Sequence, residues 1–346
     1  MSWKSWAMLT VIGWSLSGCM SGSIPALPER DRPIIILDTD FGGDADDLGA
    51  IAMLYDYADQ GAIEFKAIIS WSHEAYAVPA LAAINQYYQR PDLPIGVREV
   101  APWRTEWNHT KAIADQFPYD PSIVDQASPA VRLYRTVLAG AENNSVTIVT
   151  VGPLANIQNL LQSPADTIAP LSGAELVYAK VDKFVMMGGQ FPDGITAHGA
   201  EWNFDGNMPG VTKYVLETLE RPIIFSGYEV GEALRVGQEL NAHPDQTPIY
   251  VGYKYFSEHA PWMKPDYEGA ILDNASFDQT AVMYAAIGGL GEFWTLSVPG
   301  VLRADEQGIA TWRDDPAGNH RFLILTEDRD HTEAKILEGM THLPGE

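Results

Sequence analysis

The stretch Pro33–Asp47, PIIILDTDFGGDADD, decides how this chain of 346 residues folds. Its first half is a continuous run of apolar, mostly β-branched residues, which predicts a strand covered on both faces. Its second half places five carboxylates within a few residues of two glycines: Asp38, Asp40, Asp44, Asp46 and Asp47. Because ligands of parallel sheets bind at the carboxyl ends of the strands, this acidic end of a buried strand predicts a binding site.

Outside this stretch, apolar runs alternate with amphipathic segments along the rest of the chain. The runs predict further strands at 63–69, 146–151, 183–187, 222–225 and 322–325. The segments between them show the 3.6-residue period of helices, at 47–59, 78–89, 130–138, 154–161, 209–219, 279–287 and 332–340. This alternation predicts an α/β fold with a mainly parallel central sheet, open and doubly wound, flanked by helices. No strong linker follows residue 32, so residues 33–346 are predicted to form a single domain.

The composition narrows the classes of partner. The chain carries 22 Lys and Arg against 46 Asp and Glu, a formal charge of −24, and 46% of its residues are hydrophobic. That hydrophobic content is typical of a folded globular protein. Binding to nucleic acid needs clustered cations, so we expect no nucleic-acid partner and no broad adhesion to anionic membranes. The single cysteine, Cys19, excludes an internal disulfide and a cysteine-based zinc site.

The N-terminus resembles a bacterial lipoprotein signal. Residues 7–16 are largely apolar and uncharged, and they are too few to span a bilayer as a mature helix. They run into Leu16-Ser-Gly-Cys19, the pattern in which Cys19 is lipidated and becomes the new N-terminus. The resemblance implies a signal peptide at 1–18, then a lipidated cysteine and tether at 19–32. A plain secretory signal that happens to precede a cysteine is the alternative.

The expected location follows from this signal. The protein would be anchored by lipid in the bacterial cell envelope, facing the periplasm or the cell surface. Met20 rather than an aspartate follows the cysteine, which favours the outer membrane. The lipid anchor would be the only contact with the membrane, because no other apolar run is long enough to cross it.

The acidic cluster indicates a cation. Residues 38 and 40 share one face of an extended strand, and the next helix, whose dipole favours anions, begins at Asp46 and Asp47. So many carboxylates in a partly buried place would be driven to protonate unless a cation neutralised them. An all-oxygen ligand set favours calcium or magnesium. An EF-hand is excluded, because Gly49 stands where that loop needs a glutamate. A solvated acidic turn is the alternative.

The stretch Pro33–Asp47, together with later segments, resembles the inosine–uridine-preferring nucleoside hydrolase family. The family usually reads Asp-x-Asp-Pro-Gly-x-Asp-Asp, whereas this chain has two additional residues before the Asp-Asp pair and Phe41 in place of the proline. The likeness continues in the family's order at VGPLAN (151–156), MGG (187–189), EWN (201–203) and FDQTAV (277–282). It covers essentially the whole chain from residue 33 to about residue 342.

The resemblance implies calcium-dependent hydrolysis of the N-glycosidic bond of ribonucleosides, which releases base and ribose. By position, the calcium ligands would be the side chains of Asp40, Asp47 and Asp278 and the main-chain carbonyl of Val151. Asp44 competes with Asp47 for the metal, and Asp47 is preferred because a helix begins there. Asp40 would also be the general base for the attacking water, whose pKa the cation lowers.

The ribose hydroxyls would be held by Asp46, Glu201 and Asn203. Nearby carboxylates would also stabilise the oxocarbenium-like state formed at the anomeric carbon. Asp38 would either contact the metal or hydrogen-bond the turn that carries the ligands. Members of the family are often dimers or tetramers, so a homo-oligomer is compatible with the resemblance.

Departures from the family concern the leaving base. Phe277 stands where members that accept pyrimidines have a histidine that protonates the base, and phenylalanine has no proton to donate. Purine-specific members stack an aromatic ring there, so Phe277 predicts a purine preference, with Trp71 or Trp202 as a second ring. Simple packing beneath the site is the alternative. His73 is the nearest replacement for the family's asparagine after the second strand.

Other residues could supply the missing acid, and other functions stay open. The candidates for that acid are His109, Tyr253 and His259. A haloacid-dehalogenase-like phosphatase also begins with a strand that ends in Asp-x-Asp, but it has no role for the later segments. A nucleoside- or sugar-binding protein, or a degenerate hydrolase without turnover, is the non-enzymatic alternative. Loss of nucleoside hydrolysis with a chelator would distinguish a hydrolase from a binding protein or a degenerate hydrolase, which show no turnover.

Overall fold

The computed structural model describes residues 32–72, 74–99, 105–192, 194, 196, 199–242 and 247–345. Within these ranges the strands are β1 Ile34–Thr39, β2 Glu64–Ser70, β3 Ile95–Val97, β4 Ser128–Pro129, β5 Val146–Val151, β6 Val181–Met187, β7 Ile223–Ser226, β8 Arg235–Val236, β9 Asn274–Ala275, β10 Trp294–Leu296, β11 Gly300–Ala304, β12 Ala310–Asp314 and β13 His320–Leu325. The α-helices are α1 Asp46–Asp59, α2 Ala77–Tyr87, α3 Thr110–Gln116, α4 Ser122–Gln126, α5 Ala130–Gly140, α6 Ala155–Gln162, α7 Gly173–Lys180, α8 Trp202–Asp205, α9 Val211–Thr218, α10 Tyr228–Glu232, α11 Pro248–His259, α12 Phe277–Ile287 and α13 Arg329–Met340. Two short 3₁₀ helices lie at Gln238–Ala242 and Lys264–Asp266.

One large sheet organises these elements. Its strands run in the order β12-β11-β13-β7-β6-β5-β1-β2-β3-β4, and β10 pairs separately with β13. All pairs from β13 to β4 are parallel, whereas β10, β11 and β12 add an antiparallel margin. The predicted α/β fold with a mainly parallel sheet is confirmed.

The order of the strands creates a crevice beside β1. The chain moves outward from β1 through β2, β3 and β4, and β5 then pairs with the other edge of β1. Thr39, the last residue of β1, lies opposite Val151, the last residue of β5. Such a reversal of strand order is the place where open α/β sheets bind their ligands. The acidic stretch begins at this reversal.

The sheet separates two hydrophobic clusters. Along β1, Ile35 and Leu37 enter the cluster formed with α1, α2 and α12, whereas Ile36 enters the cluster formed with α5, α6 and α7. Asp38 continues the alternation of Ile36 and therefore meets α5 and α6. Burial on both faces explains why β1 is a continuous apolar run rather than an alternating one.

The structure adds elements that the sequence pattern did not predict. The antiparallel margin from β10 to β12 and several short helices, α8 and α10 among them, belong to this group. Among the described residues, no helix has the length and apolar character needed to cross a membrane. The predicted signal peptide, Cys19 and tether lie outside the described residues, except for Arg32.

Candidate active site

A cavity of about 650 Å³ opens at the carboxyl ends of the central strands. Asp40, just after β1, and Val151, at the end of β5, both line it. Asp278 reaches the same cavity from the first turn of α12. The topology therefore brings together residues that are far apart in the chain, as the rule for strand ends predicts.

Three carboxylates meet beside this cavity. Asp46, Asp47 and Asp278 each offer an oxygen atom, and these atoms all lie within 4.8 Å of one another. Asp46 and Asp47 begin α1, and Asp278 lies in the first turn of α12, so two helix N-termini converge on the acids. The backbone N–H of Asp278 also donates to Oδ2 of Asp46 at 3.3 Å.

The electrostatics of these three acids fit a bound cation. All three are buried, and desolvation followed by repulsion from neighbouring carboxylates raises the pKa of each. The raised pKa values favour the protonated form of these side chains unless a positive charge enters among them. A compact, buried set of carboxylate oxygens suits a hard cation such as calcium or magnesium. The cluster could therefore hold the predicted metal.

The structure distinguishes between the candidate ligands near the start of α1. Oδ1 of Asp47 accepts a hydrogen bond from the Thr39 hydroxyl, which aims the carboxylate into the cluster. Asp44 lines the cavity, but its Oδ1 accepts hydrogen bonds from Asn274 at 2.6 Å and from the Ala45 N–H at 2.5 Å. Asp47 is thus better placed than Asp44 to bind the metal.

Asp46 takes a position that the sequence did not predict. It was assigned to the ribose, yet it belongs to the three-carboxylate cluster as well as to the lining of the cavity. Asp46 and Asp47 both lie in the first turn of α1, as expected, and the packing of α12 brings Asp278 close to both of them. Asp46 is therefore a further candidate metal ligand.

Asp40 is held at the cavity wall. The indole N–H of Trp202 donates to its Oδ2 at 2.8 Å, and burial raises the pKa of Asp40 to about 6. A Cβ atom at Gly152 would lie 2.7 Å from the backbone nitrogen of Asp40, so only glycine allows the ends of β1 and β5 to approach this closely. A carboxylate that titrates near neutral pH in a cavity is suited to act as a general base.

Asp38 has a different environment from that of Asp40, although the two residues lie on the same face of the extended chain. The Tyr134 hydroxyl donates to its Oδ2 at 2.7 Å, and Nδ2 of Asn156 donates to its Oδ1 at 3.0 Å. Burial raises its pKa to about 7. Asp38 is not part of the cavity lining. It therefore ties the end of β1 to α5 and α6.

The predicted sugar-binding residues Glu201 and Asn203 line the cavity near the end of β6. The Glu201 carboxylate accepts hydrogen bonds from the N–H groups of Gly189 at 3.0 Å and Asn203 at 2.9 Å. Burial raises the pKa of Glu201 to about 7. The side-chain amide of Asn203 donates to the carbonyl of Met187 at 3.2 Å. These bonds hold both side chains at the cavity.

Aromatic rings form the rest of the cavity wall. Phe277 stacks on Tyr228 with ring centroids 5.1 Å apart, and both rings line the cavity. Trp107 and Trp262 form an edge-to-face pair at 5.2 Å, and the indole N–H of Trp107 donates to the carbonyl of Gly43 at 2.8 Å. The sequence analysis missed Tyr228, Trp107 and Trp262. The position of Tyr228 just after β7 was the available signal.

The structure corrects the prediction for Trp71. Its ring is buried and lies outside the lining of the cavity, with the Arg98 guanidinium 4.0 Å from the ring centroid. The Arg98 side chain also donates to the Trp71 carbonyl at 3.0 Å. Trp71 directly follows β2 and continues the alternation of Ile69, which points it into the protein instead of the crevice. His73 lies outside the described residues.

The predicted replacement acids do not line the cavity. His109 is fully buried, with its ring against Phe41, and burial lowers its pKa to about 3. Tyr253 is buried and accepts a hydrogen bond from Gln279. His259 stacks on Tyr255 within α11. None of the three belongs to the described lining of the cavity, so their roles as acids are not supported.

Comparisons with known proteins agree with this geometry. The sequence profile of the inosine–uridine-preferring nucleoside hydrolases matches residues 35–301. A plant nucleoside hydrolase has the same fold, with a TM-score of 0.67 at 15% identity over 89% of this chain and 99% of that one. The structure of an inosine–guanosine nucleoside hydrolase has a TM-score of 0.63 at 17% identity, over 90% of this chain and 98% of that one. The inosine–uridine-preferring nucleoside hydrolase of Bacillus anthracis has a TM-score of 0.60 at 14% identity, over 89% of this chain and 99% of that one.

A comparison with curated protein sequences found no match. At such low identities the solved structures establish the fold alone. The family profile carries the assignment, because it spans the acidic stretch, the central parallel strands and Asp278. The chain therefore belongs to the inosine–uridine-preferring nucleoside hydrolase family and is a hydrolase of N-glycosyl compounds.

Proposed function

We propose that this protein is a calcium-dependent nucleoside hydrolase that prefers purine ribonucleosides and releases the free base and ribose. The observation that carries the proposal is the convergence of Asp46, Asp47 and Asp278 beside Asp40 at a single cavity. The resemblance of the sequence motifs to the family favours calcium over magnesium. The cavity has room for a nucleoside, since small-molecule sites commonly enclose about 300–1,000 Å³.

The residues that would hold the calcium ion are Asp40, Asp47, Asp278 and the carbonyl of Val151, with Asp46 as a further ligand. Their donor atoms are all oxygens, which calcium prefers. When bound, the cation would orient the sugar hydroxyls and lower the pKa of an attacking water. Desolvation, followed by mutual repulsion, raises the pKa values of the clustered carboxylates, and a bound cation would offset both effects, which supports this role.

Asp40 would accept the proton of the attacking water. Trp202 fixes the orientation of its carboxylate, and burial raises its pKa to about 6. As the water oxygen bonds to the anomeric carbon, the C–N bond breaks and its electron pair moves to the base nitrogen. That nitrogen then takes a proton from solvent water, and the base leaves as the neutral free base. The positive charge that develops on the sugar would be stabilised by the carboxylates of the cavity.

Glu201 and Asn203 would hold the ribose. Both side chains are buried at the cavity and are fixed by hydrogen bonds to the end of β6. A carboxylate oxygen that accepts one backbone N–H keeps capacity for a second donor, such as a sugar hydroxyl. Holding the sugar in this way orients its anomeric carbon toward the attacking water.

The purine preference rests on the aromatic wall. Phe277 and Tyr228 offer stacked rings at the cavity, and a purine presents a larger face to them than a pyrimidine does. Phe277 cannot protonate a departing base, so stacking is the contribution that its side chain can make. The proposed location, a lipid anchor in the cell envelope, rests on the Leu16–Cys19 pattern alone. There the enzyme would release bases and ribose for import.

The alternatives have less support. A haloacid-dehalogenase-like phosphatase is not favoured, because the nucleoside hydrolase profile covers residues 35–301. A binding-only descendant would have no use for a general base, yet Asp40 is held at the cavity by Trp202. Turnover decides between a binding protein and a hydrolase.

The test is release of reducing sugar from inosine, guanosine, uridine and cytidine by the purified protein, with calcium or with excess chelator. We expect the chelator to lower the rate by at least about 100-fold, because the cation activates the water, and calcium to restore it. We also expect higher kcat/KM for the purine nucleosides. A folded, calcium-binding protein that releases no sugar from any nucleoside would contradict the proposal.

A further inference from the structure

A second pair of carboxylates lies at the end of α1 that is farther along the chain from the three-carboxylate cluster. Asp56 and Asp59 belong to the last turn of this helix, and His342, which follows α13, lies between their side chains. Nδ1 of His342 is 3.3 Å from Oδ1 of Asp56, and Nε2 is 3.0 Å from Oδ2 of Asp59. The His342 side chain is 10% exposed, so the ring is largely shielded from water. The imidazole thus joins the segment after α13 to the last turn of α1.

The two contacts need one proton more than a neutral imidazole supplies. A neutral imidazole has one N–H donor, and its other ring nitrogen is an acceptor. Because an ionised carboxylate also only accepts, that second nitrogen would face a carboxylate oxygen with no hydrogen atom between them. An imidazolium donates from both nitrogens and satisfies both carboxylates, and a proton on Asp56 would satisfy the same two contacts. In either form, the arrangement holds one additional proton.

The environment of Asp56 favours that additional proton. Its Oδ1 accepts a hydrogen bond from Nε2 of Gln60 at 2.7 Å, and its Oδ2 has no hydrogen-bond partner among the residues that the structure describes. The side chain is buried, and burial is the largest influence on its pKa, which it raises. A buried carboxylate with so few donors is costly unless a proton or a positive charge meets it. His342 is placed to supply that charge.

Charged groups from the neighbouring elements also face this pair of contacts. Arg90, which follows α2, forms an ion pair with Oδ1 of Asp59. Lys335 and Glu338 of α13 are paired at 3.0 Å, and their charges act on the pKa of Asp56 in opposite directions. Three phenols lie nearby, and burial raises the pKa of each: Tyr55, Tyr57 and Tyr88. Histidine is the side chain that ordinarily changes its charge between pH 5 and 8, so the proton at the imidazole is the one that pH controls.

The helix α13 lies directly against the same turn of α1. A Cβ atom at Gly339 would lie 2.9 Å from Cγ of Met53 and 3.5 Å from Oδ2 of Asp56, so glycine allows the two helices to approach this closely. The contacts of His342 therefore lie at the interface of α1 with α13.

We infer that His342, held between Asp56 and Asp59, is a proton-dependent clasp that fastens residues 341–345 and the end of α13 to α1. Below about pH 6 both ring nitrogens have a hydrogen atom to share with a carboxylate, and the clasp is closed. As the pH rises, the additional proton passes to solvent, and the contact of the bare ring nitrogen with its carboxylate becomes repulsive. None of these residues lines the cavity, so the inference does not depend on the proposed function.

The direction of the pH dependence follows from the proton that the clasp holds. The folded state binds this proton more tightly than the unfolded chain does, because the two carboxylates meet it only after folding. The stabilisation by the clasp is therefore fully present at low pH and is lost as the pH rises.

The experiment compares the wild type with His342→Gln by amide hydrogen exchange at pH 5.5 and pH 8.5, in the calcium-loaded full chain. Glutamine donates from one nitrogen, as a neutral imidazole does, but it cannot take up a proton. The readout is the protection of a peptide that covers residues 336–345, given as the ratio of wild type to variant at each pH. We expect a ratio of at least about tenfold at pH 5.5, the effect of one charge-assisted hydrogen bond, and less than about twofold at pH 8.5.

His331→Gln is the matched control, because His331 also contacts a carboxylate but lacks the second one. Its Nε2 is 3.0 Å from Oε1 of Glu292, and both side chains are more than half exposed. Exposed ion pairs contribute little, so the protection of residues 336–345 should stay within about twofold of the wild type at both pH values.

A second variant tests whether Asp56 shares the proton. In an Asp56→Asn background one of the two carboxylates is absent, so the effect of His342→Gln should be the same at both pH values, within about twofold. A pH-dependent effect that persists in this background would assign the proton to another group and overturn the inference. So would equal protection of the wild type and His342→Gln at pH 5.5, or a tenfold ratio at both pH values, because the contact would then need no additional proton.

Discussion

Two groups of buried carboxylates lie near the end of β1, and they differ in the partners that surround them. Asp38 receives hydrogen bonds from Tyr134 and Asn156, side chains that the fold supplies for it. Asp46, Asp47 and Asp278 are packed mainly against other acids, and desolvation, followed by their mutual repulsion, raises their pKa values. A buried charge is costly unless donors or a counter-ion meet it. An acid that receives its main contacts from side-chain donors is structural, whereas acids gathered mainly against one another mark a cation site.

The largest expected effect comes from a comparison of Asp40 with Asp38, two acids at the end of β1. Asp40→Asn removes the general base and a metal ligand together, so kcat/KM should fall by at least about 1,000-fold. Asp38→Asn keeps the shape of a side chain that lies outside the cavity and should cost less than about tenfold, near the value of one hydrogen bond. Sugar release with saturating calcium measures both. Similar losses in the two variants would abolish the distinction between structural and functional acid.

Calcium should stabilise the fold more at pH 7.5 than at pH 5.5. Raised carboxylate pKa values, about 7 for Glu201 and above the ordinary value of 3.8 in the cluster, mean that the metal-free folded state binds more protons than the unfolded chain. Its free energy of unfolding therefore falls as pH rises from about 4 to 7. Calcium at 100 times its Kd should add about 2.7 kcal/mol, and at lower pH protons compete with it.

The measurement is the midpoint of thermal unfolding with calcium and with chelator at the two pH values. Asp278→Asn should lose most of the calcium-dependent shift, because it removes a ligand. Asp38→Asn is the matched control and should keep the shift. A shift of equal size at both pH values would show that calcium does not compete with protons for these carboxylates.

Asp38→Ala should destabilise the protein without weakening the metal site. The variant leaves the Tyr134 hydroxyl and the Asn156 amide buried without their shared acceptor. We expect a loss of about 1–3 kcal/mol in the free energy of unfolding, measured by urea titration in chelator. The Kd for calcium, measured by calorimetry on the folded variant, should change less than about threefold because Asp38 is outside the cluster. A loss of calcium binding with normal stability would place Asp38 among the ligands.

The smallest expected effect concerns the orientation of Asp40. Trp202→Phe keeps a ring at the cavity wall but removes the indole N–H that donates to Oδ2. One hydrogen bond of about 1.4 kcal/mol corresponds to a roughly tenfold lower kcat. KM should change less than kcat if the bond positions the base rather than the substrate. An unchanged kcat with a raised KM would assign Trp202 to substrate binding instead.

The sequence predicted the central part of the fold well, because its signals are local. The strand predicted at 146–151 has the same bounds in β5, and the acidic stretch runs from the end of β1 into the start of α1 as expected. Asp40, Glu201 and Phe277 were found because each lies in a short motif, and all three line the cavity. A buried apolar strand and its acidic end can be read from adjacent residues alone.

The features of the fold and the site that were not predicted depend on contacts between distant segments of the chain. Trp107, Trp262 and Tyr228 come together only through the tertiary fold, and no local pattern distinguishes them from core aromatics. Trp71 lies outside the cavity lining, and no local pattern predicts its position next to Arg98. The antiparallel margin was missed because its strands are short and partly exposed, which weakens the apolar signal.

The contact between Asp46 and Asp278 joins positions that are 232 residues apart in the chain. Closing so long a loop carries a large entropic cost, and contacts of such separation form slowly during folding. The carboxylate cluster cannot exist until α12 has been synthesised and packed against α1. A nascent or truncated chain that ends before residue 278 would lack the ligand from α12. Calcium uptake would thus report that α12 has packed against α1, and the cation would join two segments that are distant in the chain.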